Sequence, residues 1–172
     1  MIYILGVNHQ LVQFQYRHND RQKISEFIEK VKNICIDKNI GLIAEEFSND
    51  ALEYYGIDNT YVGNIVNELG VEYLLCDPGK DDRRILGIKQ RGDIALELGI
   101  LWLTENQVEI DRINEAAAES DRKREKYWLD QIKIKVKNNK QYKDVLLICG
   151  FNHVDYFICM AKKENFNIKK ID

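Results

Sequence analysis

One stretch near the end of the chain decides the fold, and it reads Val145-Leu146-Leu147-Ile148-Cys149-Gly150-Phe151-Asn152-His153. Five apolar residues run without a break, and a Gly-x-Asn-His sequence follows them. An apolar run that does not alternate with polar residues is typical of a strand buried on both faces of a parallel sheet. Such sheets belong to α/β proteins, in which ligands bind beyond the carboxyl ends of the strands. The stretch therefore predicts an α/β fold with His153 at the edge that carries the chemistry.

The start of the chain repeats this signature. An apolar run covers residues 2–5, and Gly6-Val7-Asn8-His9 follows it. A glycine at the end of each strand lets the backbone turn sharply off the sheet. If the two strands are neighbours, the imidazoles of His9 and His153 converge on one site. The alternative is that each histidine is only a polar residue in a loop.

Two more apolar runs end in carboxylates. Residues 42–44 are followed by Glu45 and Glu46, and residues 71–76 are followed by Asp77. Successive side chains of a strand point to opposite faces, so we expect only one of the two glutamates to face a shared site. Together the four runs predict a mainly parallel central sheet.

Helical patterns fill the chain between these strands, and they predict helices at about 21–38, 48–55 and 60–69. Residues 80–140 contain no convincing strand, so we predict a helical insertion between the third and fourth strands. Within it we expect separate helices at 94–103, 105–120 and 122–138. Asn152 is the expected N-cap of the helix after the fourth strand. Residues 1–172 are thus expected to form a single α/β domain, with helices flanking the sheet.

Composition restricts the class of partner. The 172 residues carry a formal net charge of −3, with 45% apolar and 31% charged residues. This balance gives no overall attraction to nucleic acid or to an anionic membrane, so we expect neither as a partner. The four cysteines form no C-x-x-C pair, which fits a reducing cytoplasm better than a zinc ribbon. Because the N-terminal apolar run is too short for a signal peptide, we expect a cytoplasmic protein.

The predicted strand ends collect His9, Glu45 or Glu46, Asp77 and His153. Two imidazoles and a carboxylate are a common set of divalent-metal ligands, so His9, Glu46 and His153 are candidate ligands for Mn, Co or Zn. Without a cofactor, the same set is a general base held by a carboxylate, which activates water directly. The alternative is that these polar residues only cap helices and satisfy loop backbone.

A further candidate stretch is Arg124-Glu125-Lys126-Tyr127-Trp128. On a helix close to the fourth strand, Arg124 is a candidate for binding an anion and stabilising negative charge in a transition state. The alternative is a solvated charged face with aromatic side chains in the core.

Five short pieces occur in a familiar order, and they are Gly6–His9, Ile43–Glu46, Leu75–Asp77, Arg124–Trp128 and Gly150–Val154. In this order the chain resembles the TraB/Tiki and erythromycin-esterase-like superfamily, which also includes ChaN-type proteins. The resemblance implies a compact α/β fold whose active cleft lines up these residues. Its members include metal-dependent proteases, metal-independent esterases and haem-binding proteins. By position, His9 matches the first-motif histidine, Glu45 or Glu46 the glutamate, and His153 the late histidine.

The main functional hypothesis is a small cytoplasmic hydrolase that acts on a small-molecule or peptide substrate, with His9, Glu45, Glu46, His153 and Arg124 as candidate catalytic residues. The second hypothesis is a non-catalytic ligand-binding or regulatory module that acts with a partner protein or as a homo-oligomer. Its association face would be formed by Leu98, Ile100, Leu101, Trp102 and Leu103, and the alternative is that this stretch is ordinary core. The third is a nucleotide-handling enzyme with a phosphate at the start of the last long helix, although no nucleotide motif is present.

Overall fold

A computed structural model of the protein describes residues 1–8, 21–101, 103–138 and 144–171. His9 and Trp102 therefore lie outside the described residues. The sheet has five strands, which are β1 (Ile2–Val7), β2 (Ile40–Glu45), β3 (Glu72–Leu75), β4 (Asp144–Gly150) and β5 (Ile168–Ile171). Their order across the sheet is β3-β2-β4-β1-β5, and all neighbouring pairs are parallel. The predicted α/β fold is confirmed.

The two strands that precede the Gly-x-Asn-His motifs are neighbours in this sheet. β1 pairs with β4 in parallel, with Gly6 opposite Cys149 and Val7 opposite Gly150. Their unbroken apolar sequences are buried along nearly their whole length, as expected for strands covered on both faces. Both strands therefore end at the same carboxyl edge of the sheet, which is the condition for a shared site.

Neither glycine of these motifs adopts the left-handed backbone conformation that favours glycine, although the chain does turn off the sheet directly after Gly150, the last residue of β4. In the described chain, the glycines with a positive φ are Gly56, Gly70, Gly87 and Gly99. Gly150 has a φ of −59°. The small size of Gly6 matters, because a Cβ atom there would lie 2.7 Å from Cδ1 of Phe151, so the exposed ring of Phe151 or the strand would have to shift. The first motif thus provides the space that the second motif fills.

Helices cover both faces of the sheet. They are α1 (Arg21–Asp37), α2 (Asn49–Tyr55), α3 (Tyr61–Leu69), α4 (Lys80–Leu86), α5 (Arg91–Glu97), α6 (Gln107–Asn138) and α7 (Phe151–Lys163). One face packs against α1 and α3 through side chains that include Val31 and Val62. The other packs against α6 and α7 through side chains that include Trp128 and Phe157. Within the described ranges, no helix is long and apolar enough to cross a membrane.

The helical insertion predicted between β3 and β4 consists of α4, α5 and α6. The prediction of separate helices at 105–120 and 122–138 is wrong, because α6 is continuous over 32 residues. No proline or glycine interrupts it, and a helix of this length spans roughly 48 Å. Its C-terminal half packs on the sheet through Trp128, and its N-terminal half packs on α5 through Ile113 and Ala117.

Two helix boundaries also differ from the prediction. The helix expected at 94–103 ends at Glu97, and Gly99 then adopts a left-handed φ of 69°. The helix expected to start after Asn152 begins at Phe151, with Gly150 as its N-cap. His153 therefore lies in the first turn of α7, directly over the carboxyl edge of the sheet.

Candidate functional site

Five polar side chains meet at the carboxyl edge of the sheet, on the face covered by α6 and α7. They are Glu46, Asp77, Arg124, Glu125 and His153. Glu46 follows β2, Asp77 follows β3, His153 lies in the first turn of α7, and the other two lie on α6. None of these side chains is more than 15% exposed. Polar groups buried to this extent must satisfy one another.

Glu46 is held from two sides. Its Oε1 accepts a hydrogen bond of 2.8 Å from Nη2 of Arg124. Its Oε2 accepts a hydrogen bond of 2.8 Å from the backbone N–H of Gly150, at the start of α7. The carboxylate therefore ties β2 to both helices of this face.

Arg124 joins the glutamate to Asp77. Its Nε donates to Oδ1 of Asp77 at 3.0 Å, and the indole N–H of Trp128 donates to the same oxygen at 2.9 Å. Arg83 forms a salt bridge with the other oxygen of Asp77. Burial alone would lower the pKa of Arg124, but Asp77 and Glu46 raise it above its usual value. The guanidinium therefore stays charged, and three carboxylates share that charge, because Asp121 lies 3.4 Å from its Nη1.

His153 lies between two carboxylates. Its Nδ1 is 2.7 Å from Oε1 of Glu125, which is a hydrogen bond. Its Nε2 is 3.4 Å from Oε1 of Glu46, without a hydrogen bond between them. The Trp128 indole and the imidazole pack in an edge-to-face arrangement, with 5.0 Å between the ring centroids. These contacts fix the plane of the imidazole.

Glu125 is unusual within this group. It is 2% exposed, and burial raises the pKa of its carboxyl above the ordinary value despite the bond to His153. Its Oε2 is buried and has no hydrogen-bond partner among the described residues. One oxygen of a buried carboxyl is thus left unsatisfied beside an imidazole.

Glu45 faces the opposite side of the sheet from Glu46, as the alternation of strand side chains requires. Its Oε2 accepts a hydrogen bond of 2.7 Å from the hydroxyl of Thr60 and another from that of Tyr73. Thr60 is also the N-cap of α3, where it binds the N–H of Gly63. Burial and the Glu45 charge raise the pKa of Tyr73 well above its usual range. Glu45 therefore anchors α3, and the structure does not bring it to His153.

A divalent metal fits the described donors poorly. Both oxygens of Glu46 are used, by Arg124 and by the N–H of Gly150, and Nδ1 of His153 is used by Glu125. An ion would have to displace the guanidinium from Oε1 of Glu46. Across the ranges that the structure describes, no three His, Cys, Asp or Glu side chains are grouped to hold a metal. The third predicted ligand, His9, lies outside those ranges.

The start of α7 offers less to a phosphate than the sequence suggests. The N–H of Gly150, the N-cap of this helix, already donates to Glu46. A phosphate in that position would have to displace a buried carboxylate from its hydrogen bond. The negative charge of Glu46 would also repel the phosphate.

A cavity of about 660 Å³ opens beside Asp77. Ser48, Tyr54 and Tyr127 contribute to its walls, together with several acidic side chains of α2 and α4. Its volume is in the range of small-molecule sites. Asp77 connects it to the buried cluster, whereas His153 does not line it.

The structure brings together three of the five predicted catalytic residues, Glu46, Arg124 and His153. It separates Glu45 from them, and His9 lies outside the described residues. Sequence reasoning did not assign a role to Glu125. A signal was present, because Asp121, Arg124, Glu125 and Trp128 recur at spacings of three and four residues, which places them along one stripe of a helix.

The chain was also compared with known proteins. No family model, no curated protein and no solved structure matches it. The chemical arguments that follow therefore rest on the geometry of this chain.

Proposed function

We propose that the chain is a cytoplasmic hydrolase in which His153 is the general base that activates water. The observation that carries the proposal is the imidazole itself, which is bonded through Nδ1 to Glu125 and directs Nε2 toward Glu46. An imidazole held by a carboxylate on one nitrogen, with the other nitrogen available, is the usual arrangement of a general base. The position at the carboxyl edge of a parallel sheet supports the same reading.

Glu46 would orient the reacting water. Nε2 of His153 and Oε1 of Glu46 are 3.4 Å apart, so one water molecule can lie within hydrogen-bond distance of both. In the proposed step, the water proton passes to Nε2 as the water oxygen bonds to the electrophilic carbon of the substrate. The resulting imidazolium is stabilised by the carboxylates of Glu46 and Glu125. Its proton then passes to the leaving group.

Arg124 would hold Glu46 in place and contribute positive charge near the developing oxyanion. Because Glu46 and Asp77 already share this charge, we expect its effect on the oxyanion to be smaller than that of an unshared arginine. The cavity of about 660 Å³ beside Asp77 is large enough for a small-molecule substrate or a short peptide end. Because His153 does not line this cavity, a substrate bound there would have to reach past Asp77 to meet the imidazole.

The cytoplasmic part of the proposal rests on the cysteines. All four are free thiols, and Cys35, Cys76 and Cys149 are buried. Burial raises the pKa of Cys35 to about 11, so this thiol behaves as a small apolar side chain. Unpaired cysteines of this kind are common where the environment is reducing.

The test is a screen of chromogenic esters, amides and short peptides with wild-type protein and the His153→Ala variant. General-base catalysis contributes roughly 100- to 10,000-fold, so we expect kcat to fall at least about 100-fold in His153→Ala. His18→Ala is the matched control, since His18 belongs to no motif and should be dispensable. If His153→Ala retains wild-type turnover on every cleaved substrate, the proposal is wrong.

The second candidate function is a module that binds a partner protein or a second copy of the chain. Exposed leucines in and after α5 favour it. Leu96, Leu101 and Leu103 are 80%, 83% and 81% exposed. Exposed leucines so close together in sequence are typical of an association surface. Sedimentation velocity tests this candidate with the Leu101→Lys, Leu103→Lys double variant. Assembly that this variant abolishes would support it, whereas a strictly monomeric wild-type protein with turnover would rule it out.

A further inference from the structure

Glu125 lies one residue beyond Arg124 in the sequence and is directed at His153 instead of at Glu46. Building on the proposed function, we propose that Glu125 is a positioning residue: it holds the His153 proton on Nδ1 and leaves Nε2 free to act on water. Glu125 touches no reacting atom in this scheme. It acts through the imidazole.

The contacts around the ring support this role. Oε1 of Glu125 is 2.7 Å from Nδ1 of His153. Trp128, one helical turn further along α6, packs edge-to-face with the imidazole. Trp128 is itself fixed, because its N–H donates to Asp77. A hydrogen bond and a packing contact from the same helix therefore set both the tautomer and the plane of the imidazole.

The second oxygen of Glu125 argues against a purely structural carboxylate. Glu46 uses both oxygens in hydrogen bonds, and Oε2 of Glu45 accepts two. Oε2 of Glu125 has none within the described residues, although it is buried. A buried oxygen without a partner from the protein is open to a group other than this chain, which favours a chemical role over a purely structural one. The raised pKa of its carboxyl has the same origin in burial.

The positions of the two imidazole protons during the proposed reaction explain what Glu125 would do. Before the reaction, Nδ1–H donates to Oε1 of Glu125, and Nε2 carries a lone pair. When Nε2 takes the proton of water, the imidazolium gains a positive charge beside the carboxylate, so the Nδ1–H bond strengthens. Without the carboxylate, the other tautomer, with its proton on Nε2, becomes accessible and cannot accept a proton at that atom.

The first test observes the tautomer and does not depend on activity. Histidine side chains labelled with ¹⁵N are recorded by NMR at a pH where they are neutral, and His153→Ala identifies the His153 signals. We expect protonated Nδ1 and bare Nε2 in the wild-type protein, and a mixed or reversed tautomer in Glu125→Gln. Glu119→Gln, the same change at an 80% exposed side chain of α6, is the control and should leave the signals unchanged.

The second test measures turnover of the best substrate from the hydrolase screen. We expect Glu125→Gln to lower kcat about 100-fold or more with little change in KM, and Glu125→Asp to restore part of it. Wild-type protein with its proton on Nε2, or a Glu125→Gln variant with the wild-type tautomer, would overturn the role of Glu125. Absence of hydrolysis by wild-type protein would instead overturn the proposed function while the tautomer result still stands.

Discussion

The guanidinium of Arg124 lies 2.8 Å from Oε1 of Glu46, although the two residues are 78 positions apart in the chain. Their side chains are only 15% and 5% exposed. The contact joins α6 to the end of β2, and Asp77 extends it to the end of β3. The cluster proposed for catalysis is therefore also a tertiary link between the insertion and the sheet.

Removal of the Arg124 guanidinium should lower the free energy of unfolding, because it breaks the contact between α6 and the ends of β2 and β3. In Arg124→Met the aliphatic stem is kept, but Glu46 and Asp77 lose a shared partner while still buried. Breaking a buried ion pair from one side typically costs about 3–5 kcal/mol, and we expect a loss of this order in urea unfolding at pH 7.

The matched control is Arg84→Met. Arg84 pairs with Asp81, and these two side chains are 78% and 86% exposed. We expect this variant to lose less than about 1 kcal/mol. Equal losses in the two variants would show that the Arg124 cluster contributes no more than a surface pair.

Tyr73 is expected to make stability fall at alkaline pH. Burial and the neighbouring Glu45 raise the pKa of its hydroxyl in the folded protein, whereas an unfolded tyrosine titrates near about 10. Above that pH the unfolded chain loses a proton that the folded chain keeps, so the free energy of unfolding decreases as pH rises. The contribution is fully present below about pH 10.

The variant Tyr73→Phe tests this sign. At pH 7 it should be about 1–3 kcal/mol less stable than wild type, because the buried carboxylate of Glu45 loses the hydrogen bond that the Tyr73 hydroxyl donates to it. This difference should narrow between pH 9 and pH 11 in urea titrations. Tyr54→Phe, at an 83% exposed position, should change stability at pH 7 by less than about 0.5 kcal/mol. A Tyr73→Phe difference that widens with pH would contradict the assignment.

The sheet could be predicted because each strand is marked by a pattern within its own sequence. Unbroken apolar runs precede both Gly-x-Asn-His motifs, and burial of those runs on both faces is what a parallel sheet demands. Helix α3 was similarly marked by Thr60 at its start and Gly70 at its end, and both act as caps. The continuity of α6 was missed, although no proline or glycine lies between its ends, because the absence of a helix breaker does not by itself distinguish one long helix from two.

The site could be predicted only in part, because its partners are distant in sequence. Strand alternation required Glu45 and Glu46 to diverge, but the choice between them depends on which face α6 covers. The pairing of Glu125 with His153 joins residues 28 positions apart. It depends on how α7 lies against α6, and no local pattern encodes that geometry.

Metal content distinguishes metal-assisted activation of water from activation by the imidazole alone. We expect protein purified without a polyhistidine tag to retain far less than one equivalent of Mn, Co or Zn after incubation and dialysis. The reason is that Arg124 already neutralises Glu46 and a cation there would be repelled by the guanidinium. If one equivalent of metal is retained by wild-type protein and is lost in a still-folded His9→Ala, His153→Ala variant, the metal site depends on these histidines and this expectation is wrong.

The two Gly-x-Asn-His motifs should be coupled energetically through Gly6 and Phe151. A Cβ atom at residue 6 would approach Cδ1 of Phe151 to 2.7 Å and Cγ2 of Val154 to 3.0 Å. We therefore expect Gly6→Ala to lose about 1–3 kcal/mol through overpacking. In a Phe151→Ala background, where the closest contact is absent, the same change should cost clearly less. Urea unfolding of the four proteins gives the coupling energy. Additive losses would mean that Gly6 is needed for a reason other than the ring of Phe151.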